Sequence, residues 1–271
     1  MGYDTFEFAD VRGGKIAYCE TGSGEPLIMH HGGEAGRGQY EIFAPHLGDG
    51  IRAISYDQRD TGDTVNNSEP YTMGTFADEC VGLMDALGIE KAHIMGISFG
   101  GTIAMHVGLR YPGRVQSLII GAAPHTMKGP RTPLAEKLVA LSSQEREGLM
   151  LDAVISPEGQ QDEYLMAMTK KAIRGRTTEP RSRRMAAVQE HDVTGSLRLI
   201  TTPTLLIYGS DDPLAVPSTG EYIHQQITGS ELAIVEGARH GLSFEYREET
   251  AALVRDFVLR HRLGSKNRMQ Y

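Results

Sequence analysis

Short apolar runs alternate with helical patterns along the first part of this 271-residue chain. The runs at 26–31, 52–56, 92–97 and 115–121 have the length and apolarity of strands that are buried on both faces. Segments with helical periodicity lie at 76–87 and 99–110. Strands that alternate with helices predict a parallel sheet whose right-handed crossovers cover both faces. This alternation therefore indicates an α/β fold.

The two ends of the chain complete this sheet. Two β-type runs, 5–11 and 15–20, open the chain, and Gly13-Gly14 between them can supply the positive φ angles of a tight hairpin. After residue 200 the alternation resumes, with strands at 203–208 and 232–235 and helices at 218–226 and about 244–261. The pattern predicts a mostly parallel, eight-stranded sheet flanked by helices.

The stretch from 125 to 199 breaks the alternation. It contains no convincing strand, and amphipathic helical segments lie at 134–141, 164–173 and 183–190. Such a stretch is too long for an ordinary connection. We therefore predict a helical lid, residues 125–199, inserted between strands 6 and 7 of a core formed by residues 1–124 and 200–263. Residues 264–271 form a polar tail.

Five methionines fall within the predicted lid: Met127, Met150, Met166, Met168 and Met185. Methionine side chains are pliable and can line an adaptable apolar pocket. We predict a substrate-binding role for Met127, Met150 and Met166. The alternative, that the methionines only pack the lid against the core, is at least as compatible with the sequence.

Charge and cysteine content exclude several classes of protein. The net charge is −8, and the only basic cluster, Arg174, Arg176, Arg181, Arg183 and Arg184, is interrupted, so we interpret it as a solvated loop or helix face and expect no nucleic-acid partner. The two cysteines, Cys19 and Cys80, exclude a disulfide scaffold and offer no metal-ligand spacing.

The same features bear on cofactor and location. We expect no metal or cofactor, and the reducing cytoplasm is the simplest setting for a chain with so few cysteines. Asp4, Glu7 and Asp10 lie where a secretory signal needs positive charge, and no stretch of about 18 apolar residues predicts a membrane span. We therefore expect neither export nor a membrane partner. Association between copies of the chain is left open.

The pattern G-x-S-x-G covers residues 96–100, with Ser98 at its centre. It follows a predicted strand and precedes a predicted helix, which is the arrangement of a nucleophile elbow. The sharp turn crowds the neighbouring backbone, and glycines two positions before and after the serine relieve that crowding. Ser98 is the candidate nucleophile; the alternative is a serine that only caps the following helix.

A nucleophilic serine needs a histidine base, and the histidine needs a carboxylate that fixes its tautomer. Of ten histidines, His240 follows the last predicted strand on a glycine-flanked loop. His93 and His106 lie inside predicted core elements and are interpreted as packing residues; His30, at a strand end, is interpreted as structural.

Two adjacent aspartates compete for the carboxylate role in the turn after the strand at 203–208. We prefer Asp212, which lies three residues after Gly209, and Asp211 is its nearest rival. The chain order serine, aspartate, histidine is the order that this kind of α/β enzyme uses.

Acyl transfer also requires two donors that face the developing oxyanion. The backbone N–H of Phe99, directly after the serine, is the first candidate. For the second we assign Gly33, with Gly32 next, because the run after the strand at 26–31 leaves its backbone open to a substrate. An ordinary glycine turn is the alternative. Gly32 and Glu34 are further candidates for substrate binding.

Taken in order, the glycines after His31, the G-x-S-x-G run, the aspartate turn and His240 resemble the α/β-hydrolase superfamily over nearly the full chain. The run 111–115, YPGRV, is also similar to that superfamily. The runs HGG at 31–33 and YDQR at 56–59 resemble proline iminopeptidases, whose motifs read HGGPG and DQRGxGxS. Glu34 replaces the proline, and residues 60–64 replace the glycine-led remainder.

The resemblance implies a hydrolase with a small-molecule substrate. In iminopeptidases lid carboxylates hold the amino group of the substrate, and the sequence shows no evident set of this kind; Glu34 is either a cation-binding residue or an exposed loop residue. We predict a serine hydrolase that cleaves a small, fairly apolar ester or lactone through an acyl-enzyme. The alternatives are an iminopeptidase-like aminopeptidase or amidase, a carbon–carbon hydrolase, a cofactor-free oxygenase and a hydrolase-like ligand receptor.

Overall fold

One mixed sheet forms the centre of the computed structural model, which describes residues 5–141, 143–173 and 178–264. Within those residues the strands are β1 (Glu7–Val11), β2 (Gly14–Gly22), β3 (Gly24–His30), β4 (Gly50–Tyr56), β5 (Val65–Asn66), β6 (Ala92–Ile97), β7 (Val115–Gly121), β8 (Thr204–Gly209) and β9 (Glu231–Val235). Their order across the sheet is β1-β2-β4-β3-β6-β7-β8-β9, and β5 pairs with β2.

The direction of the strands follows the prediction. β2 is antiparallel to β1 and β4, whereas each neighbouring pair from β4 to β9 is parallel. The predicted α/β sheet is confirmed, with eight strands on one continuous path. The two-residue β5 was not predicted, because so short a run carries no periodicity.

Helices flank this sheet and fill the long stretch before β8. In the described residues they are α1 (Met73–Ala86), α2 (Phe99–Arg110), α3 (Pro133–Ala140), α4 (Ser143–Val154), α5 (Glu163–Ala172), α6 (Thr178–Gln189), α7 (Pro217–Gln226) and α8 (Arg247–Arg260). None of them combines the length and apolarity that a membrane span requires. α4 has no counterpart among the segments predicted from the sequence, since its apolar residues do not keep to one face.

The insert between β7 and β8 contains α3 to α6 and no strand in the part of it that the structure describes. Isolated bridges join Ala35 to Ile173 and Thr126 to Asp192. The division into a core and a lid with boundaries at 125 and 199 stays a prediction. Apart from Gly264, the predicted tail lies outside the described residues.

A small apolar cluster fastens the insert to the rest of the molecule. Its buried members are Ile42, Val154, Ile155, Leu165, Ala172 and Phe244. Ile42 and Phe244 come from loops outside the insert, and the others come from α4, α5 and the residue after α4. Met150, Met166 and Met168 pack against this cluster, whereas Met127 and Met185 pack against the main core. The cluster therefore holds α4 and α5 beside the loops that follow β3 and β9.

The basic cluster of the insert is only partly solvated. Arg184 is 3% exposed, so the interpretation of the cluster as a solvated face is wrong for this residue. Arg183 is also largely covered, because its side chain pairs with Asp60. Arg174 and Arg176 lie outside the described residues.

Candidate active site

Ser98 occupies a strained turn between β6 and α2. Its φ of 57° and ψ of −120° lie in a region that residues with a side chain rarely adopt. The flanking glycines permit the turn: a Cβ on Gly96 would lie 2.0 Å from the carbonyl oxygen of Gly100, and one on Gly100 would lie 2.0 Å from that of His30. This geometry is that of a nucleophile elbow, which presents the serine hydroxyl at the end of the strand.

Asp212 and His240 form a hydrogen-bonded pair in loops that follow β8 and β9. His240 Nδ1 donates to Asp212 Oδ2 over 2.7 Å. Asp212 Oδ1 accepts hydrogen bonds from the backbone N–H groups of Leu214 (2.8 Å) and Ala215 (2.9 Å). The carboxylate is thus buried, fully engaged and held in one orientation, and it fixes the His240 proton on Nδ1.

Asp211, the rival candidate, points elsewhere. Its side chain is exposed and accepts a hydrogen bond from Ser210 Oγ over 2.8 Å. Its backbone N–H donates to the carbonyl oxygen of Ala238. The structure therefore brings Asp212, and not Asp211, to His240.

Ser98 and His240 line the same cavity, whose volume is about 410 Å³ including space open to solvent. Its lining residues are Gly32, Gly33, Glu34, Ala35, Gln39, Ile97, Ser98, Met150, Val154, Ile173, His240, Ser243 and Phe244. Three predicted substrate-binding residues, Gly32, Glu34 and Met150, are in this set. The other two, Met127 and Met166, are not.

The glycine loop after β3 runs beside the elbow. A Cβ on Gly33 would lie 3.7 Å from Phe99 Cβ, and one on Gly32 would lie 3.8 Å from Ser98 Cβ. The Gly32 N–H donates to Gln39 Oε1 over 2.7 Å and is therefore paired within the protein. Gly33 also lines the cavity beside Phe99 at the start of α2, and its role as an oxyanion donor stays a prediction.

The family model of the α/β-hydrolase fold matches residues 25–174, more than half of the chain. The chain belongs to the α/β-hydrolase family. The match includes the glycine loop and the elbow, and the remaining members of the site follow it in the chain order that this family uses.

Curated relatives of this α/β hydrolase are named for different bonds. A pimeloyl-[acyl-carrier protein] methyl ester esterase of Neisseria meningitidis is 27% identical over 86% of this chain and 92% of its own length. A proline iminopeptidase of Pestalotiopsis fici is 28% identical, with 93% and 99% covered. A 2-hydroxy-6-oxo-6-phenylhexa-2,4-dienoate hydrolase of Comamonas testosteroni is 31% identical, with 90% and 91% covered.

A solved structure shares the whole fold. The enol-lactonase of Burkholderia xenovorans superposes with a TM-score of 0.82 at 21% identity, covering 93% of this chain and 99% of its own. The relatives are esterases and hydrolases, so this chain is a hydrolase of the α/β fold.

Gln39 is a member of the site that the sequence analysis missed. It is 3% exposed, accepts the Gly32 N–H through Oε1 and donates to Ser243 Oγ through Nε2 over 3.2 Å. Ser243 lies three residues after His240, so one amide side chain ties the glycine loop to the histidine loop. No sequence motif predicts a glutamine in this role, because only the folded structure shows that Gly32 and Ser243 lie on either side of it.

Glu34 lies at the boundary between the cavity and the insert. Its carboxylate is 3.7 Å from Arg146 Nη1 of α4 and 3.6 Å from Arg181 Nε of α6. The sequence left two interpretations of Glu34, an exposed loop residue and a residue that binds a cation. Neither fits the structure, in which the carboxylate faces two arginines of the same chain. The side chain is 24% exposed, which leaves these pairs partly screened by solvent.

Of the other histidines named in the sequence analysis, His30 and His93 are buried in the fold, whereas His106 is half-buried. His30 Nδ1 faces the hydroxyl of Tyr56 at 2.8 Å, and burial lowers the His30 pKa to about 3. His93 faces Ser117 Oγ at 2.7 Å, and burial together with nearby cationic groups lowers its pKa to about 4. These residues are neutral packing groups at neutral pH.

In the described residues no cluster of three or more histidine, cysteine, aspartate or glutamate side chains is arranged to hold a metal.

Proposed function

We propose that this hydrolase cleaves a small, fairly apolar ester or lactone through an acyl-enzyme, with Ser98 as nucleophile, His240 as base and Asp212 as the group that orients the base. The observation that carries the proposal is the 2.7 Å hydrogen bond from His240 Nδ1 to Asp212 Oδ2 beside the cavity that contains Ser98. With its proton on Nδ1, His240 has a free electron pair on Nε2, as a general base requires.

In the acylation step, Ser98 Oγ attacks the carbonyl carbon of the substrate while His240 Nε2 takes the hydroxyl proton. The carbonyl oxygen becomes an oxyanion, and the N–H groups of Phe99 and Gly33 stabilise its charge. Asp212 stabilises the imidazolium that forms. The tetrahedral intermediate then breaks its bond to the leaving group, and His240 returns the proton to the departing alkoxide.

Deacylation repeats this sequence with water. His240 Nε2 takes a proton from a water molecule, whose oxygen attacks the ester that links Ser98 to the acyl group. The same two backbone donors hold the second oxyanion. Breakage of the bond to Ser98 Oγ releases the carboxylic acid, and the proton on His240 returns to the serine. A lactone substrate gives a hydroxy acid by the same two steps.

The cavity supports an apolar acyl or alcohol group. Ala35, Ile97, Met150, Val154, Ile173 and Phe244 are apolar side chains of its wall. The esterase and lactonase among the related proteins act on bonds of the proposed kind.

An aminopeptidase is less well supported. A free amino group on the substrate would need an acidic partner, and the nearest candidate, Glu34, already faces Arg146 and Arg181. A carbon–carbon hydrolase is the second candidate, favoured by the 31% identity to the Comamonas testosteroni enzyme. Both alternatives would use the same serine, histidine and aspartate.

Covalent labelling tests the proposal directly. We expect a fluorophosphonate probe to label the wild type and not Ser98→Ala, because only an activated serine attacks phosphorus. In parallel, p-nitrophenyl acetate and butyrate, small lactones and prolyl or alanyl amides are assayed with both proteins. We expect ester or lactone turnover that falls by about 10³-fold or more in Ser98→Ala. Equal labelling of the two proteins, or turnover of the amides alone, would overturn the proposal.

A further inference from the structure

Arg184 of α6 is buried beneath the site, although it belongs to the insert. Its side chain contacts the ring of Phe99 and reaches the glycine loop through Gln58, and these two segments carry the proposed oxyanion donors. A buried guanidinium is retained only where several groups satisfy it, so its partners define a specific position. The inference drawn from these contacts rests on the proposed function.

The first contact is to the elbow. The guanidinium of Arg184 lies over the ring of Phe99, with its carbon 4.3 Å from the ring centroid, and 5.3 Å from that of Phe76. Phe99 follows the nucleophile, and its backbone N–H is the first oxyanion donor. A cation over an aromatic face in a desolvated position is attractive and holds the ring in place. The ring in turn restrains the first residue of α2.

The second contact reaches the glycine loop through one intermediate. Arg184 Nη2 donates to Gln58 Oε1 over 2.8 Å, and Gln58 Nε2 donates to the carbonyl oxygen of His31 over 2.9 Å. His31 precedes the glycine pair that carries the second donor. In addition, Arg184 Nη1 donates to the carbonyl oxygen of Arg59 over 2.9 Å. The chain of hydrogen bonds therefore fixes the start of the loop that ends at Gly33.

We propose that Arg184 is a positioning residue that holds the Phe99 and Gly33 amides in register with each other. The two donors come from different segments, after β6 and after β3. An oxyanion hole is effective only when both donors face the same point, and a displacement of about 1 Å can cost about 100-fold in rate. Arg184 links the two segments through a single planar group.

Arg183 is the matched control. It precedes Arg184 on α6 and also docks the helix onto the segment after β4, because Nε and Nη2 donate to the two oxygens of Asp60 over 2.8 and 2.7 Å. Within the described residues its hydrogen-bond partners are Asp60 and Glu179, neither of which is hydrogen-bonded to the elbow or the glycine loop. Loss of Arg183 weakens docking of the insert without touching the oxyanion donors.

The experiment compares Arg184→Met, Arg184→Lys and Arg183→Met in ester hydrolysis. For Arg184→Met we expect kcat to fall by about 10- to 100-fold with KM within about threefold, since the oxyanion forms only after binding. Arg184→Lys keeps the charge but loses the planar fork, so kcat should fall by an intermediate factor. For Arg183→Met we expect a lower unfolding temperature and kcat within about threefold of wild type.

A boronic acid inhibitor separates positioning from stability. Phenylboronic acid adds to the serine and places an oxygen where the oxyanion forms, so its Ki should rise in Arg184→Met by the factor lost from kcat/KM. Inhibition by the product acid should stay unchanged. If Arg184→Met does not fold, the same ratio is measured with Arg184→Lys.

The outcomes distinguish the two proposals. Equal kcat losses in Arg184→Met and Arg183→Met, or an unchanged Ki for phenylboronic acid, would overturn the positioning role and leave the serine mechanism intact. A wild type that neither phenylboronic acid nor the fluorophosphonate probe inhibits would overturn both.

Discussion

Replacement of Asp212 by asparagine tests the hydrogen bond that orients His240. In the native chain Asp212 Oδ1 accepts two backbone N–H groups, and Oδ2 accepts the N–H of His240. An amide side chain has one acceptor oxygen, and the two backbone donors hold that oxygen in place. The amide NH₂ group then faces His240 Nδ1. Two donors cannot pair, so the imidazole moves its proton to Nε2 and can no longer accept the proton of Ser98.

The expected loss follows from the wrong tautomer. We expect kcat for p-nitrophenyl butyrate to fall by about 10⁴-fold, which corresponds to about 5.5 kcal/mol of transition-state stabilisation. KM should stay within about threefold, because the Asp212 carboxylate is not part of the cavity wall and binding precedes proton transfer. Steady-state kinetics at pH 7.5 measure both constants, and urea unfolding shows whether the variant is folded.

Asp211→Asn is the control for this variant. Its side chain is exposed and its neighbour Ser210 can donate equally well to an amide oxygen, so kcat should stay within about threefold of wild type. The reasoning is refuted if folded Asp212→Asn keeps more than about a tenth of the wild-type kcat. It is also refuted if Asp211→Asn loses as much activity as Asp212→Asn.

Two further predictions concern stability, and urea unfolding measures both. Gly100→Ala places a Cβ 2.0 Å from the His30 carbonyl oxygen and should lower the free energy of unfolding by about 3 kcal/mol or more. Gly113→Ala, whose Cβ would have no atom within 4 Å, should lower it by less than about 1 kcal/mol. Equal losses in the two variants would contradict the elbow geometry. Burial lowers the pKa of four histidines to about 3 or 4: His30, His93, His106 and His191. Each of these imidazoles binds a proton more readily in the unfolded chain. The free energy of unfolding should therefore be highest above pH 6.5. It should fall as the pH is lowered towards 4, by up to about 1.4 kcal/mol per pH unit for each histidine. His93→Gln should reduce this pH dependence by the contribution of about one histidine. An unchanged pH dependence would refute the conclusion that His93 is buried in its neutral form.

The features that were predictable from the sequence are local ones. The strand, turn and helix around Ser98 are contiguous in the sequence. The glycines two residues before and after Ser98 are required because any side chain there would collide with neighbouring backbone. The alternation of apolar runs with helical segments likewise predicts a parallel sheet, because each parallel strand needs a crossover before the next. The start of β6 and of α2 follows from periodicity alone.

The choice between Asp211 and Asp212 required the fold. Both residues follow β8 and both are acidic, so composition and chain order treat them alike. The difference is the backbone of residues 214 and 215, whose N–H groups turn towards Asp212 Oδ1 and leave Oδ2 for His240. Spacing after Gly209 favours Asp212, but only the turn geometry gives a physical reason for that choice.

The partners of the insert could not be predicted for a different reason. An arginine on a helix is exposed in most proteins, and the pattern around Arg183 and Arg184 is that of a solvated face. The burial of Arg184 depends on Gln58, Arg59 and Phe99, which lie about 85 to 126 residues away in the chain.

Helices of the insert contact loops of the proposed site that lie far from them in the sequence. The proposed nucleophile and base lie on loops of the sheet, yet His240 N donates to the carbonyl oxygen of Ala153 in α4, and Arg184 of α6 reaches Phe99. Two insert helices therefore contact loops of the proposed site directly, one at the proposed base and one at Phe99. Substitutions that shift α4 at Ala153 should change proton transfer, whereas those that remove the contact of Arg184 with Phe99 should change oxyanion stabilisation. The insert is then part of the proposed catalytic geometry in addition to forming one wall of the cavity.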